Sequence, residues 1–257
     1  MEKSTKKLLE LSKDAAQSAL SKLVELGENN VKSYSFSSEI PREIKATADV
    51  IIEDLILSCL LPTGIDIFSE ECGLLKGNKN STLKFIIDPI DGSVNFVRGI
   101  LNCSISIALF DGDEAIFGVL ASYPDGSITW GGKGVGVFCN NAKLVVSNID
   151  NPEKGVLCTG FPSRFNFDTE SILLQIDIMS QFGKTRMLGS ASQSLLQVAS
   201  GGVECYAERN IMLWDVAAGI AIVEGAGGRV RRIPRTSGGE LDIIADNGRL
   251  NLNIISW

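Results

Sequence analysis

Not one of the 257 residues is a histidine, which removes imidazole general bases, phosphohistidine intermediates and most transition-metal sites from the chemistry open to this chain. Cysteine occurs six times (Cys59, Cys72, Cys103, Cys139, Cys158, Cys205) but never as Cys-x-x-Cys, and most of the six stand in apolar stretches where the residue behaves as a small hydrophobe. Reduced thiols and no zinc are expected. No apolar run approaches the roughly 18 residues of a membrane span. The Lys-rich start (Met1 to Lys7) leads into a charged helical pattern rather than a signal peptide. No membrane association and a cytoplasmic location follow as expectations.

What remains is carboxylate chemistry. A net charge of -7 argues against a nucleic-acid partner, because a surface that neutralises phosphates needs an excess of Lys and Arg. The one basic run, Arg229-Val230-Arg231-Arg232-Ile233-Pro234-Arg235, reads as a solvated strand end. With 44% hydrophobic and 21% charged residues the chain can bury a proper core, as one large domain or two tightly joined halves.

Apolar residues at Leu8, Leu11, Ala15, Ala19, Leu23 and Leu26 recur at helical spacing, which predicts a helix over 4–26 that ends near Gly27. A second helix is predicted over 48–60, with a polar, flexible loop at 32–43 between them. From Cys103 to Val146 the pattern alternates, Ile105, Ile107 and Leu109 against Ser104, Ser106 and Ala108, with turns at Asp111-Gly112, Pro124-Asp125-Gly126 and Asn140-Asn141. This is an antiparallel meander. After Asn151-Pro152, short strands (156–159, 184–188, 203–207, 229–233) alternate with helices (169–182, 190–199, 216–224), the pattern of an α/β unit. The fold class is therefore α/β, with an α+β N-terminal half (1–150) that carries an antiparallel sheet and an α/β C-terminal half (151–257).

The chemistry concentrates in Asp88-Pro89-Ile90-Asp91-Gly92-Ser93, directly after the apolar run Phe85-Ile86-Ile87, where a strand is expected to give way to a turn. Two ionised carboxylates about 4 Å apart repel by roughly 4 kcal/mol at an effective dielectric near 20, so a site that collects them shares protons or holds a cation. Hard oxygen ligands suit Mg²⁺ or Mn²⁺. Taken alone the string is also an ordinary turn, since Asp, Pro and Gly are turn residues. Two further acidic segments accompany it: Ile65 to Glu71, an apolar strand ending in Glu70-Glu71, and Trp214-Asp215-Val216-Ala217-Ala218-Gly219, an acid at the head of a helical stretch.

Together these segments resemble the inositol monophosphatase family of metal-dependent phosphatases. Its signature Asp-Pro-hydrophobic-Asp-Gly-Ser/Thr-x-Asn-Phe stands at Asp88 through Phe96. Its second, Trp-Asp-x-Ala-Ala-Gly followed by Glu-x-Ala-Gly-Gly, stands at Trp214 through Gly219 and Glu224 through Gly228. Glu70-Glu71, Lys45 to Asp49 and Gly189-Ser190-Ala191 fall in the family's order, so the resemblance spans nearly the whole chain. It implies a layered αβαβα sandwich and commonly a homodimer. It implies two or three Mg²⁺ per site, with Mn²⁺ as a substitute, held by Glu70, Asp88, the carbonyl of Ile90, Asp91 and Asp215. It assigns catalysis to Glu70 and Ser93, which act on a metal-activated water, with Asp49 orienting the Ser93 hydroxyl. The backbone N–H groups of Gly92 and Ser93 would cradle phosphate, and Asp91, Gly189, Ser190, Ala191 and Glu208 would meet the hydroxyls of a polyol. Arg209 and Arg186 could meet a second phosphate or a sugar oxygen, although a plain surface role is the more ordinary reading of either. Plainer roles stay open: Asp215 as a helix cap, Asp49 as a helix N-terminal charge and Gly92 as a turn residue.

The chain departs from the family pattern at Ser93, where Thr is common, at Val94 and at Ile100-Leu101-Asn102. None of these removes a ligand. The implied activity is hydrolysis of a small-molecule phosphate ester, inositol monophosphate or a related polyol or sugar phosphate. Fructose-1,6-bisphosphatase is the nearest alternative, alone or as a dual activity, and a regulatory binding protein of the same fold is the alternative of another class.

Overall fold

The computed structural model describes residues 3–29, 34–36, 44–78, 81–236 and 238–252. In chain order the elements are α1 (Lys3–Glu28), β1 (Tyr34–Phe36), β2 (Ile44–Ala46), α2 (Thr47–Leu60), β3 (Asp66–Ser69), β4 (Gly73–Leu75), β5 (Leu83–Asp91), α3 (Ser93–Arg98), β6 (Cys103–Asp111), β7 (Glu114–Tyr123), β8 (Ile128–Gly132), β9 (Gly136–Cys139), β10 (Ala142–Leu144), β11 (Val156–Cys158), α4 (Thr169–Ser180), β12 (Lys184–Arg186), α5 (Ala191–Ala199), β13 (Cys205–Met212), α6 (Leu213–Gly225), β14 (Arg229–Pro234) and β15 (Glu240–Asp246). The expected loop at 32–43 lies largely outside the described residues. Its described part, β1, pairs antiparallel with β2.

Two sheets organise the rest. One has eight strands in the order β10-β9-β8-β7-β6-β5-β3-β4, and the other has five in the order β12-β11-β13-β15-β14. The alternation read at 103–111 assigns the faces of the large sheet. Cys103, Ile105, Ile107 and Leu109 join Phe85, Ile87, Phe117 and Val119 beneath α1 and α2. The intervening small residues Ser104, Ser106 and Ala108 let α5 and α6 lie directly on the other face. Gly118 in β7 shows how closely: a β-carbon there would come within 2.2 Å of the Ala218 carbonyl oxygen on α6. A second core cluster fills the space between α5, α6 and both sheets, and a third, with Ile178 and Phe182 against Leu157, Cys205 and Ile244, seats α4 on the outer face of the small sheet. The layers therefore read α, β, α, β, α. Among the described residues no helix is long and apolar enough to cross a membrane.

Several boundaries differ from the sequence reading. α1 runs past Gly27 to Glu28, and α6 starts at Leu213 rather than 216. The strand expected at 203–207 runs from Cys205 to Met212, with a register shift between Glu208 and Ile211. β15 was not read at all, and it turns the C-terminal sheet from parallel to mixed: β12, β11 and β13 are parallel, whereas β13, β15 and β14 are antiparallel. The basic run on β14 is charge-paired rather than simply solvated. Arg229 and Arg231 reach the buried Asp246 at 3.0 and 3.7 Å, Arg235 pairs with Asp242, and Arg232 donates to the Asp113 carbonyl.

Candidate active site

Asp88 to Asp91 do not form a turn after a strand; they are the end of the strand itself, and the turn comes only at Gly92. β5 continues through Asp91, and the register with β6 shifts between Asp88, opposite Ser106, and Asp91, opposite Ser104. Pro89, which has no N–H for the ladder, sits within that irregularity, where a proline is tolerated in a central strand. The shift brings Asp88 and Asp91 to one end of the sheet, and Gly92 then turns the chain into α3. Gly92 has φ +91°, and a β-carbon there would press on the Asn102 and Gly189 carbonyl oxygens at 3.1 Å each, so glycine alone fits.

Asp215 arrives from the other side of the cavity. It is the third residue of α6, and its Oδ2 accepts from the Met212 N–H at 3.1 Å, closing the helix start. Capping and ligation are therefore not alternatives here, because one carboxylate oxygen from each of Asp88, Asp91 and Asp215 still lies within 4.8 Å of the others. Glu70, directly after β3, stands beside Asp88. Two carboxyls brought together in this way are eased by a shared proton or by a cation.

The electrostatics say the same. Burial pushes Glu70 and Asp88 well above the ordinary carboxylate range, and neighbouring carboxylates push further: Asp215 and Asp49 on Glu70, Glu70 and Asp91 on Asp88. Asp215 is pushed up to about 7, by burial first and by Asp91 second. Asp91 is also raised by burial, but it is opposed by four donors from the start of α5: the Ser190 hydroxyl, the Ala191 N–H at 3.2 Å, the Ser192 N–H at 2.7 Å and the Ser192 hydroxyl. Three carboxylates converging within 4.8 Å, buried at Asp88 and Asp91 and half-buried at Asp215, with Glu70 beside them, fit a divalent cation of the oxygen-loving kind.

Beside the cluster, the Ser93 hydroxyl lies 2.8 Å from both Asp49 Oδ1 and the Ile90 carbonyl oxygen, and its single proton serves one of them at a time. Asp49 is the third residue of α2, and its Oδ2 accepts from the Ala46 N–H at 3.0 Å. Burial lifts it to about 7. Asp49 thus repeats the device of Asp215, an acid that closes a helix start and spends its second oxygen on the site.

These groups open into a cavity of about 370 Å³. Of the residues expected there, Glu70, Asp88, Ile90, Asp91, Gly92, Ser93, Gly189, Ser190, Ala191, Glu208 and Asp215 line it, and Asp49 stands behind Ser93. Glu208 accepts from the Tyr206 hydroxyl at 2.9 Å, and burial lifts its pKa to about 8. Arg209 does not line the cavity. It is the next residue along β13, where successive side chains face opposite ways, and burial and the like charge of Arg235 lower its pKa against the opposing pull of Asp242 and Glu170. Arg186 is exposed on β12, its guanidinium donating to the Thr185 carbonyl.

The far wall was missed in the sequence. It is the segment Thr159 to Arg164, together with Asn210 and Trp214. Arg164 is the one cation among the described residues lining the cavity, and it pairs with Glu240 at 3.6 Å. Gly-Phe-Pro-Ser-Arg carries no acid or strict periodicity, so nothing local marks it. Asn210 does carry a signal in retrospect: its φ of +55° places an Asn where the strand kinks.

Residues 3–254 match the sequence profile of the inositol monophosphatase family. The chain belongs to that family. It is 32% identical over 251 residues to a fructose-1,6-bisphosphatase/inositol-1-monophosphatase of Aquifex aeolicus, covering 96% of this chain and 93% of the relative. It is also 32% identical over 211 residues to the Nus factor SuhB of Pasteurella multocida, covering 77% of this chain and 78% of the relative. Among solved structures, the extragenic suppressor protein suhB of Bartonella henselae superposes with a TM-score of 0.83 at 28% identity over 94% of both chains. The inositol monophosphatase of Anabaena does so with a TM-score of 0.79 at 27% identity over 96% of this chain and 92% of that one. Kinship supports a phosphatase function for this member of the family, and its carboxylate cluster is of a kind that can hold a metal ion.

Proposed function

We propose that this chain is a Mg²⁺-dependent phosphomonoesterase that hydrolyses inositol monophosphate or a related polyol or sugar phosphate. The observation that carries the reading is the meeting of Asp88, Asp91 and Asp215 within 4.8 Å at the floor of a cavity, with the Ser93–Asp49 pair beside them. Glu70, Asp88, Asp91, Asp215 and the Ile90 carbonyl would hold the ions. When bound, Mg²⁺ neutralises the phosphoryl oxygens, lowers the pKa of water and stabilises the leaving oxygen.

The chain's own residues supply the rest. Gly92 and Ser93 line the cavity at the start of α3, where backbone N–H groups have no intrahelical acceptor, and these groups would take phosphate oxygens. Ser93 orients the attacking water through a hydroxyl whose own proton goes to Asp49, and Glu70 is the carboxylate beside it that receives a proton. Glu208 and Asp91 accept hydrogen bonds from hydroxyls of the leaving group. Ser93 has the hydroxyl without the methyl that narrows the rotamers of Thr, so it relies on Asp49 and the Ile90 carbonyl for its orientation.

A second reading, fructose-1,6-bisphosphatase activity alone or in addition, is favoured by Arg164, the cation that lines the same cavity as the acids and suits a second phosphate. It is supported too by the name of the Aquifex aeolicus relative. The test is phosphate release from inositol 1-phosphate, fructose 1,6-bisphosphate, histidinol phosphate and adenosine 3',5'-bisphosphate, each with Mg²⁺ and with EDTA. Release that requires Mg²⁺ is expected, and the preferred ester assigns the branch. No release from any of them with Mg²⁺ or Mn²⁺ would favour a binding protein of the same fold.

A further inference from the structure

Glu53 does not line the cavity, yet it grips the turn that carries Glu70. It stands four residues after Asp49 on α2, so the two carboxylates leave the same side of the helix, and it is 4% exposed. Its Oε1 accepts from the Ser69 hydroxyl, from the Glu71 N–H at 3.3 Å and from the Cys72 N–H at 3.2 Å. The N–H of Glu70 itself donates to the Ile87 carbonyl at 3.3 Å, one residue before Asp88 on β5. The chain is therefore tied to one buried acceptor on both sides of Glu70, by the Ser69 side chain before it and by backbone N–H groups after it, and at Glu70 to the strand that carries the next ligand. Hydrogen bonds inside a protein are stronger than the same bonds in water. Three of them on one oxygen leave the 69–72 turn little freedom to swing its acid away from Asp88.

We propose that Glu53 is a positioning residue of the cation site: from α2 it fixes the 69–72 turn, and with it the Glu70 carboxylate, so that affinity for a divalent cation depends on a side chain that never touches the ion. α2 then serves both ends of the site, holding Ser93 through Asp49 and Glu70 through Glu53. The inference rests on the cation reading given above and adds to it the group that sets the ligand in place. Partners behind the ligands characteristically govern metal affinity by about 10–100-fold.

The test is calorimetric titration of the full-length protein with Mn²⁺ alone, without substrate, for the unaltered chain and for Glu53→Ala, Glu53→Gln, Ser69→Ala and Ile56→Ala. Ile56 is a fully buried neighbour on the same helix that faces the core, so its truncation reports general loosening of α2. Glu53→Ala is expected to weaken Mn²⁺ binding by about tenfold or more. Ser69→Ala should weaken it less, and Glu53→Gln, which keeps an acceptor oxygen at the same reach, should recover most of the affinity. Ile56→Ala should lower the thermal midpoint while leaving Mn²⁺ affinity within about twofold. Should Glu53→Ala prove too unstable to titrate, Ser69→Ala carries the test. Mn²⁺ affinity unchanged within twofold in the Glu53→Ala or Ser69→Ala protein, or lowered equally in Ile56→Ala, would overturn this inference alone. No Mn²⁺ binding by the unaltered chain would overturn the cation reading as well.

Discussion

The two sides of the cavity are built differently. The floor is backbone-determined: Glu70, Asp88 and Asp91 come from the ends of paired strands and Asp49 and Asp215 from helix starts, and four of these carboxylates are held by backbone donors, Asp88 by the Ile90 N–H at 2.9 Å, Asp91 by the start of α5, Asp49 by the Ala46 N–H and Asp215 by the Met212 N–H. Asn95 stitches the floor to the C-terminal half by donating to the Asn102 and Leu188 carbonyls at 2.7 and 2.8 Å. The opposite wall, Thr159 to Arg164, is a loop whose fixed point is a packed aromatic group: Phe161, Phe165 and Phe167 lie 4.8 to 5.3 Å apart in centroid distance, with Phe161 and Phe167 still partly exposed. Rigid carboxylates suit chemistry, which needs fixed charge. A loop on a scaffold suits choice of substrate, because it can change without moving the ligands.

Substitutions can separate the two. On the floor, Asp91→Asn or Asp215→Asn is expected to lower Mg²⁺-dependent turnover by about three orders of magnitude or more with folding retained, read from kcat and far-UV circular dichroism. Near-normal turnover in a folded variant would refute the ligand assignment. Ser93→Ala should lower kcat by about a hundredfold while leaving metal affinity close to unchanged, as loss of an orienting hydroxyl does. On the wall, Arg164→Gln should raise KM for a bisphosphate by about tenfold and leave kcat on a monophosphate within twofold. Arg186→Gln, being exposed and turned to its own backbone, should change neither. An Arg164→Gln effect as deep in kcat as that of Ser93→Ala would erase the distinction between floor and wall.

The floor also gives the protein a pH signature. Asp49 and Asp215 titrate near 7 and Glu208 near 8 when folded, all above their ordinary values near 4. Between those limits the folded state holds protons that the unfolded state has released, so stability from these groups is full below about 4 and is lost as pH rises through 7 to 8. In EDTA the thermal midpoint should therefore fall from pH 5 to pH 8, and Mg²⁺ should raise it more at pH 8 than at pH 5. Glu208→Gln should flatten the fall in part. A midpoint in EDTA that rises over this range would contradict the shifts.

This contrast also explains what could be read in advance. The floor is encoded in contiguous strings, and Asp88 through Phe96 and Trp214 through Gly219 announce their ligands because each residue's role follows from its place at an element end. Even so, the motif was expected as a turn, since Asp-Pro-x-Asp-Gly has turn composition and only pairing with β6 reveals the irregular strand. The far wall, Glu53 and Ser192 were not legible as site residues. Glu53 looks like any polar helix position until Ser69, sixteen residues on, folds against it, and Ser192 acquires its role only when α5 meets β5. Arg209 was misread for the converse reason: adjacency to Glu208 along a strand puts it on the other face. The strand at 240–246 escaped although its seven residues make it longer than β11 or β12, because what defines it is pairing with β13 and β14 on either side in space.

The most direct test of the carboxylate cluster as a cation site is anomalous diffraction from crystals grown with Mn²⁺. Peaks about 2.2 Å from carboxylate oxygens of Asp88, Asp91 and Asp215, with Glu70 joining a shared or second ion, are the expected result. A map without a peak among these four residues, at Mn²⁺ concentrations that support phosphate release, would contradict it.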